Sequence, residues 1–432
     1  MSDAWEPQDG PSAAELDAAD ELAHRRKDFV LDGPDVPADD GDGDGSGGVE
    51  GVVYLDGNSL GALPRSVPAR LAEVVEREWG RLRIRSWSES GWWSAPERIG
   101  DRIAPLVGAA EGQIVVGDST SVNVFKAVVG AVRLAREEHG EERDEILVDA
   151  ATFPTDGYVA RSAARLTGAT VRAVPVSEMA ASAGPSTAAV LVNHVDYRTG
   201  ELHDLAAVTA AVHRAGGRAV WDVCHSAGAL PVELDASAAD FAVGCTYKYL
   251  NGGPGSPAFL YVRREAQGRF DSPLPGWTSH ADPFAMADDY VPRDGAARGR
   301  VGTPDILSML ALEEALKVWE GVDLAAVRAK SLALTDFFLA RVRTHVPPGM
   351  LTSLTPEEHR RRGSQVSLLC QGELEGKAES VMSALHARGV VGDFRRPGVL
   401  RFGFTPLYTS FADADRAARA LADVVLASRR EA

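Results

Sequence analysis

The chain has 432 residues, 45% hydrophobic and 25% charged, which suits one large core plus a smaller one and excludes a fibrous repeat, a disulfide scaffold or pervasive disorder. Its formal charge of −17 is uneven: residues 1–50 hold fifteen acids and three bases, a net of −12, so the rest carries only −5 and offers no basic footprint for nucleic acid or an anionic membrane. No apolar run reaches the roughly 18–20 residues of a spanning helix, no signal-peptide core is visible, and three cysteines form neither a framework nor a metal-ligand pair, so a cytoplasmic protein without a metal site is expected.

Residues 1–50 read as an acidic N-terminal segment. Leu16, Leu22 and Phe29 give 11–31 a helical rhythm, and PADDGDGDGSGG at 37–48 reads as a solvated loop. From VVYLDGNSLG to about residue 320, short apolar strands alternate with amphipathic helices. The strands fall at 145–150, 170–176, 188–195, 218–223, 240–246 and 258–262, and 204–215 is a representative helix. Such alternation predicts an α/β fold: a large domain (51–320) with a mostly parallel, mixed sheet and helices on both faces. Ligands of such sheets sit beyond the carboxyl ends of the strands. Helical runs at 305–319 and 323–345 then precede QVSLLC (365–370), a helix at 377–388, VVGDF, VLRFGF and a helix at 411–428. This predicts a small C-terminal α+β domain (321–432).

Chemistry concentrates in 221–262. Asp222 ends a predicted strand, and Lys248 lies just past another, before a Gly-Gly-Pro-Gly turn. A carboxylate that keeps a pyridine nitrogen protonated, opposite a lysine that bonds an aldehyde, suits pyridoxal phosphate (PLP). An ion pair is the plainer reading of either residue alone, but the turn and the Tyr247 hydroxyl beside the amine weigh against it. In GDSTSVNVFKAVVGAV (117–132), Asp118, Ser119, Thr120 and Ser121 open a helix, and such an N-terminus binds phosphate when it is more than a capped end. In ATFPTDGY (151–158), Phe153 can stack on a ring and Asp156 can bond its edge; core packing is the alternative for Phe153.

Taken together, YLDGNSLGALP, WSESGWW, DSTSVN, FPTDGY, HVDYRTGELHDL, WDVCHSAGALP, CTYKYLNGGPGSPAF, LPGWTSH, GTPDILSMLALE, RGSQVSL and DFRRPGVLRFGFTPLY, spread over 54–408 in this order, resemble the kynureninase family of fold-type-I PLP enzymes. That resemblance implies a PLP-dependent transferase-type fold and hydrolytic Cβ–Cγ cleavage of L-kynurenine, and possible use of 3-hydroxykynurenine. It implies Lys248 as the lysine that bonds PLP, Asp222 as partner of the ring nitrogen, and Tyr247 as a proton donor. Phe153 would stack on the ring beside Thr155 and Asp156, with Asn193 and His225 lining the cofactor. Thr120, Ser121 and Tyr247 would hold the phosphate, completed by Trp277 and Thr303 from a second subunit of a homodimer. Arg401 would grip the substrate α-carboxylate, with Arg395 and Arg396 as neighbouring rivals. Ser59, Trp87, His280 and Thr303 would face the aryl group; His280 reads equally as a structural histidine. Trp87 and Gly302–Thr303 follow the bacterial pattern, which implies L-kynurenine as the preferred substrate. An aminotransferase, a desulfurase using Cys224, or a non-catalytic relative of the fold are the competing readings.

Overall fold

The computed structural model describes residues 11–31 and 51–430; the acidic 37–48 stretch lies outside them. The chain forms two compact units, one of residues 66–197 and 201–320, the other of the described residues up to 65 with 198–200 and 321–430.

The larger unit is built on a seven-stranded sheet: β1 (Ile114–Val116), β2 (Glu145–Asp149), β3 (Thr170–Val174), β4 (Thr187–Asn193), β5 (Arg218–Asp222), β6 (Phe241–Gly244) and β7 (Phe259–Val262), in the order β1-β7-β6-β5-β4-β2-β3. Strands β2 to β6 run parallel, and β7 is antiparallel to both its neighbours, so β1 shares the direction of the majority. The expected mostly parallel, mixed sheet is therefore found. Successive strand residues point to opposite faces, and both faces are covered. Val220 packs with the helices Thr120–His139 and Pro154–Thr167. Its neighbour Trp221 points the other way and donates its Nε1–H to Thr209 Oγ1 (3.0 Å) on the helix Leu205–Arg214. Burial on both sides explains why these strands read as unbroken apolar runs.

The smaller unit carries an antiparallel sheet of β8 (Leu351–Ser353), β9 (Gln365–Cys370), β10 (Asp393–Arg395) and β11 (Val399–Gly403), ordered β10-β11-β9-β8. Its core joins Val366, Leu400 and Phe402 of the sheet to Phe338 and Leu421 of the helices Leu324–His345 and Phe411–Arg430. The VVGDF segment divides: Val390–Val391 pairs in parallel with Val53–Tyr54, whereas Asp393 begins β10. The segment 11–31 is not one helix. It forms a helix Ala13–Ala18, capped by Ser12, and a 3₁₀ helix Ala23–Asp28. Asp17 accepts from the N–H groups of Phe411 (2.7 Å) and Ala412 (3.0 Å), and Asp20 pairs with the buried Lys330 (2.6 Å).

Candidate active site

Four adjacent parallel strands end on one side of the large sheet, and candidate site residues lie just beyond them. Asn193 and Asp222 are register partners at the ends of β4 and β5. Thr152, Phe153, Thr155 and Asp156 follow β2, and Tyr247 and Lys248 follow β6. His225 is buried in the turn after Asp222.

The centre of this group is the Asn193 carboxamide. Its Nδ2 donates to Asp156 Oδ2 (2.9 Å) and to Asp222 Oδ2 (3.0 Å). Its Oδ1 accepts from Thr152 Oγ1 (2.7 Å) and from the Phe153 N–H (3.3 Å). Asp222 Oδ1 takes a further N–H, from Cys224, at 2.7 Å. Two carboxyl groups are thus buried side by side. Burial, then the Asp222 charge, hold the Asp156 carboxyl well above the usual carboxylate range, while Lys248 acts in the opposite sense. Phe153, fixed through its backbone, keeps its ring 43% exposed, so it is not a core residue.

Cys224 is buried, and its sulfur accepts the Cys245 N–H at 3.0 Å. The hydrogen bond with Cys245, together with burial, holds its thiol well above the ordinary value, so it is no ready nucleophile. The Tyr247 phenol is likewise raised, by Cys245 and by burial, and keeps its proton at neutral pH.

Beyond β1 lies a cleft of about 580 Å³, lined among others by Ser119, Thr120, Ser121, Tyr247, Ser256 and Thr303. Ser119 caps the helix that begins at Thr120, its Oγ accepting from the Val122 N–H (3.4 Å). Asp118, just before it, has φ +56°, a left-handed backbone that a non-glycine residue adopts only when held. Lys126, nearly two turns into that helix, holds it: its buried Nζ donates to Asp118 Oδ2 and to the Gly299 carbonyl, both at 2.7 Å. Across the cleft, Thr278 Oγ1 hydrogen-bonds the carbonyls of Val301 (3.1 Å) and Gly302 (3.2 Å), fixing the approach to Thr303.

Trp87 packs edge-on against Trp93 (6.3 Å between centroids), and Trp93 meets Trp277 (5.4 Å) and Phe284 (5.5 Å) under the Arg300 guanidinium (4.9 Å). His280 is engaged at both nitrogens by its own loop: Nδ1 accepts from Asp282 N–H (2.9 Å), so Nε2 is the donor to the Asp289 carbonyl (3.2 Å).

In the smaller unit, two motifs interlock through their glycines. A Cβ on Gly57 would lie 2.1 Å from Thr405 Oγ1, and one on Gly403 would lie 2.1 Å from Asn58 Oδ1. This close approach sets Ser59 beside Arg401. Arg401, 1% exposed, donates its Nε–H to Asp393 Oδ1 (2.7 Å) and Nη2 to Asp393 Oδ2. Ser59 Oγ donates to the same carboxylate (2.9 Å), and Arg395 pairs with it at 2.8 Å. Asp56 lies in this group, and Oδ1 of its carboxyl finds no hydrogen-bond partner among the described residues.

The family model for the kynureninase C-terminal domain matches residues 327–421. A kynureninase of Deinococcus radiodurans is 48% identical over 416 residues, covering 95% of each chain. One from Burkholderia pseudomallei is 44% identical, covering 96% of this chain and 94% of its own. The chain belongs to the kynureninase family. Solved structures add the fold: the cysteine desulfurase CsdA from Escherichia coli aligns with a TM-score of 0.74 at 18% identity, over 95% of this chain and 99% of that one. A desulfurase from Thermococcus onnurineus NA1 aligns at 0.72 with 19% identity, over 87% and 95%.

For a kynureninase-family chain, the larger unit brings together Asn193, Asp222, Asp156 and Phe153 around one carboxamide, and Thr120, Ser121, Tyr247 and Thr303 around one cleft. Arg401 and Ser59 meet in the smaller unit. Sequence reasoning passed over Trp93, although WSESGWW contains it, and also Lys126, Thr152, Arg300 and Asp393. Asp393 alone had a legible signal, since it stands opposite Arg401 if 393–395 and 399–403 pair as a hairpin.

Proposed function

We propose that this chain hydrolyses L-kynurenine to anthranilate and L-alanine with PLP, at a site built from the residues above. The observation that carries this reading is the set of strand-end residues: a buried Asp222 beside the buried Asp156, joined through Asn193, and Lys248 past the next strand. The residues fit the cofactor. Asp222, fixed at the strand end by two N–H donors, one on each oxygen, is the acid placed to face a ring nitrogen. The exposed Phe153 ring offers a stacking face, and the capped helix start with Thr120 and Ser121 offers donors to a phosphate in a cleft of sufficient size. Bound PLP supplies an electron-accepting ring that makes bonds to the amino-acid Cα, and then Cβ–Cγ, labile.

The chain's own groups do the rest. Lys248 holds the cofactor and moves the proton at the substrate Cα. Tyr247, still protonated at neutral pH, donates at the γ-carbonyl and at Cβ. Water adds to the γ-carbonyl carbon, that carbon leaves as the anthranilate carboxylate, and Cβ gains the proton that completes alanine. Arg401 receives the α-carboxylate, for which a planar fork is the matching donor. Trp87 faces the aryl ring, where an indole leaves little room for a 3-hydroxyl, so L-kynurenine is favoured over 3-hydroxykynurenine.

Two copies act together in this reading. Trp277 is 42% exposed, Phe284 70% and Met286 78%, an apolar surface that suits burial by a second copy, with Trp277 and Thr303 completing the partner's phosphate site. No helix among the described residues is long and apolar enough to cross a membrane, and a cytoplasmic location is part of the proposal. Loaded with PLP and given L-kynurenine, the protein should release fluorescent anthranilate. Sulfide from cysteine, with no anthranilate, would favour the desulfurase reading instead.

A further inference from the structure

Asn193 is doing more than lining a pocket. All four of its hydrogen-bonding directions are used, two as acceptor and two as donor, and the donors go to different carboxyl groups. We infer that Asn193 is a positioning residue that ties Asp156 and Asp222 into one buried unit with a single negative charge and keeps that charge on Asp222.

The argument is one of sharing. Two carboxyl groups this close and this buried cannot both ionise, since each added charge is desolvated and repelled by the other. One proton must stay. Burial and the Asp222 charge both raise the Asp156 carboxyl and so favour Asp156 as the holder of that proton. Asp222 has the stronger donor set for an anion, with the Cys224 N–H on one oxygen and the Asn193 amide on the other. Ionisable groups near the pair include Lys248, Cys224, Cys245 and Tyr247, and His225 is buried in the turn after Asp222. Of these, Lys248 favours the anion, and the two thiols and the phenol add no positive charge. The amide cannot be turned over without loss, because Thr152 Oγ1 and the Phe153 N–H both point at its oxygen. The same side chain therefore sets the ring-stacking residue and the ring-nitrogen partner relative to each other.

This inference rests on Asp222 being the partner of the ring nitrogen, so the test includes that assignment. PLP affinity is measured by equilibrium dialysis, with the circular dichroism of the bound cofactor's visible band as a second readout of ring orientation. Asn193→Ala should weaken PLP binding about tenfold or more, as expected for a lost hydrogen bond to a buried charge, and diminish the dichroic band. Asn193→Thr, which keeps one donor and covers the case of a poorly folded alanine variant, should fall between. Adding Asp156→Asn to Asn193→Ala should recover much of the loss, because an amide at 156 removes the second acid and offers Asp222 a donor. A purely structural role would not be rescued by changing Asp156. Parent-like affinity in both Asn193 variants, or no recovery in the double variant, would overturn the inference. Asp222→Ala separates the two levels: if it binds PLP as the parent does, the assignment of Asp222 itself is wrong.

Discussion

Arg401 and Asp393 face each other directly across the antiparallel pair β10–β11, and the guanidinium meets the carboxylate through its Nε edge. The arginine proposed to receive the substrate carboxylate is therefore pre-oriented by an acid of its own sheet, with Ser59 bonded to the same acid. A fork held this way loses little side-chain freedom when a second carboxylate arrives.

Arg401→Ala should depress kcat/KM for L-kynurenine and 3-hydroxykynurenine alike, by the equivalent of on the order of 2–5 kcal/mol. Arg401→Lys keeps the charge without the fork and should recover only part. Steady-state kinetics on both substrates decides it, and a loss confined to one substrate would assign Arg401 to the aryl side instead.

Trp87 makes the complementary prediction. Trp87→His removes the indole that packs on Trp93 and should shift the ratio of the two kcat/KM values toward 3-hydroxykynurenine, even if total activity falls. An unchanged ratio would place the selectivity elsewhere.

Subunit sharing is tested by mixing. Lys248→Ala and Trp277→Ala homodimers should each be weak, and subunit exchange between them should restore activity through hybrid dimers with one intact site. Exchange shown by mass, without recovery, would mean that each site is built from one chain.

Asp56 gives a pH signature in stability. Burial, then the Asp393 charge, raise its carboxyl from an ordinary 3.8 to about 6. A raised acid keeps its proton in the folded state over the interval in which the unfolded chain releases it. Its contribution is thus fully present below 3.8, falls as pH rises to about 6, and is constant above, a change of at most about 3 kcal/mol. Asp56→Asn should remove this slope, raising Tm relative to the parent at pH 7 and converging with it near pH 4. Thermal melts across this range check it; parallel curves would show that Asp56 does not titrate there.

The large sheet was legible because strands buried on both faces are continuous apolar runs: 145–150 and 218–223 contain β2 and β5, and 188–195 takes in all of β4 but Thr187. Three-residue strands such as Ile114–Val116 carry no period to read, and Val53–Tyr54 acquires its strand character only from Val390–Val391. The 11–31 segment misleads in another way. Its apolar spacing suggests one helix, whereas Asp17 and Asp20 are fixed by bonds to Phe411, Ala412 and Lys330, far along the chain. In the site, positions after strand ends were readable from order alone. What Asn193 bonds, and that Trp93 meets Trp277 ring to ring at a tilt, depend on contacts between segments that no local pattern encodes.

The central claim, hydrolytic Cβ–Cγ cleavage at this site, is tested most directly by product analysis in heavy-oxygen water. The PLP-loaded protein should convert L-kynurenine to anthranilate and L-alanine in equal amounts, with solvent oxygen in the anthranilate carboxylate and none in that of alanine, and Lys248→Ala should yield neither product. Anthranilate without an equal amount of alanine, a keto acid in place of alanine, or undiminished turnover by Lys248→Ala would contradict it.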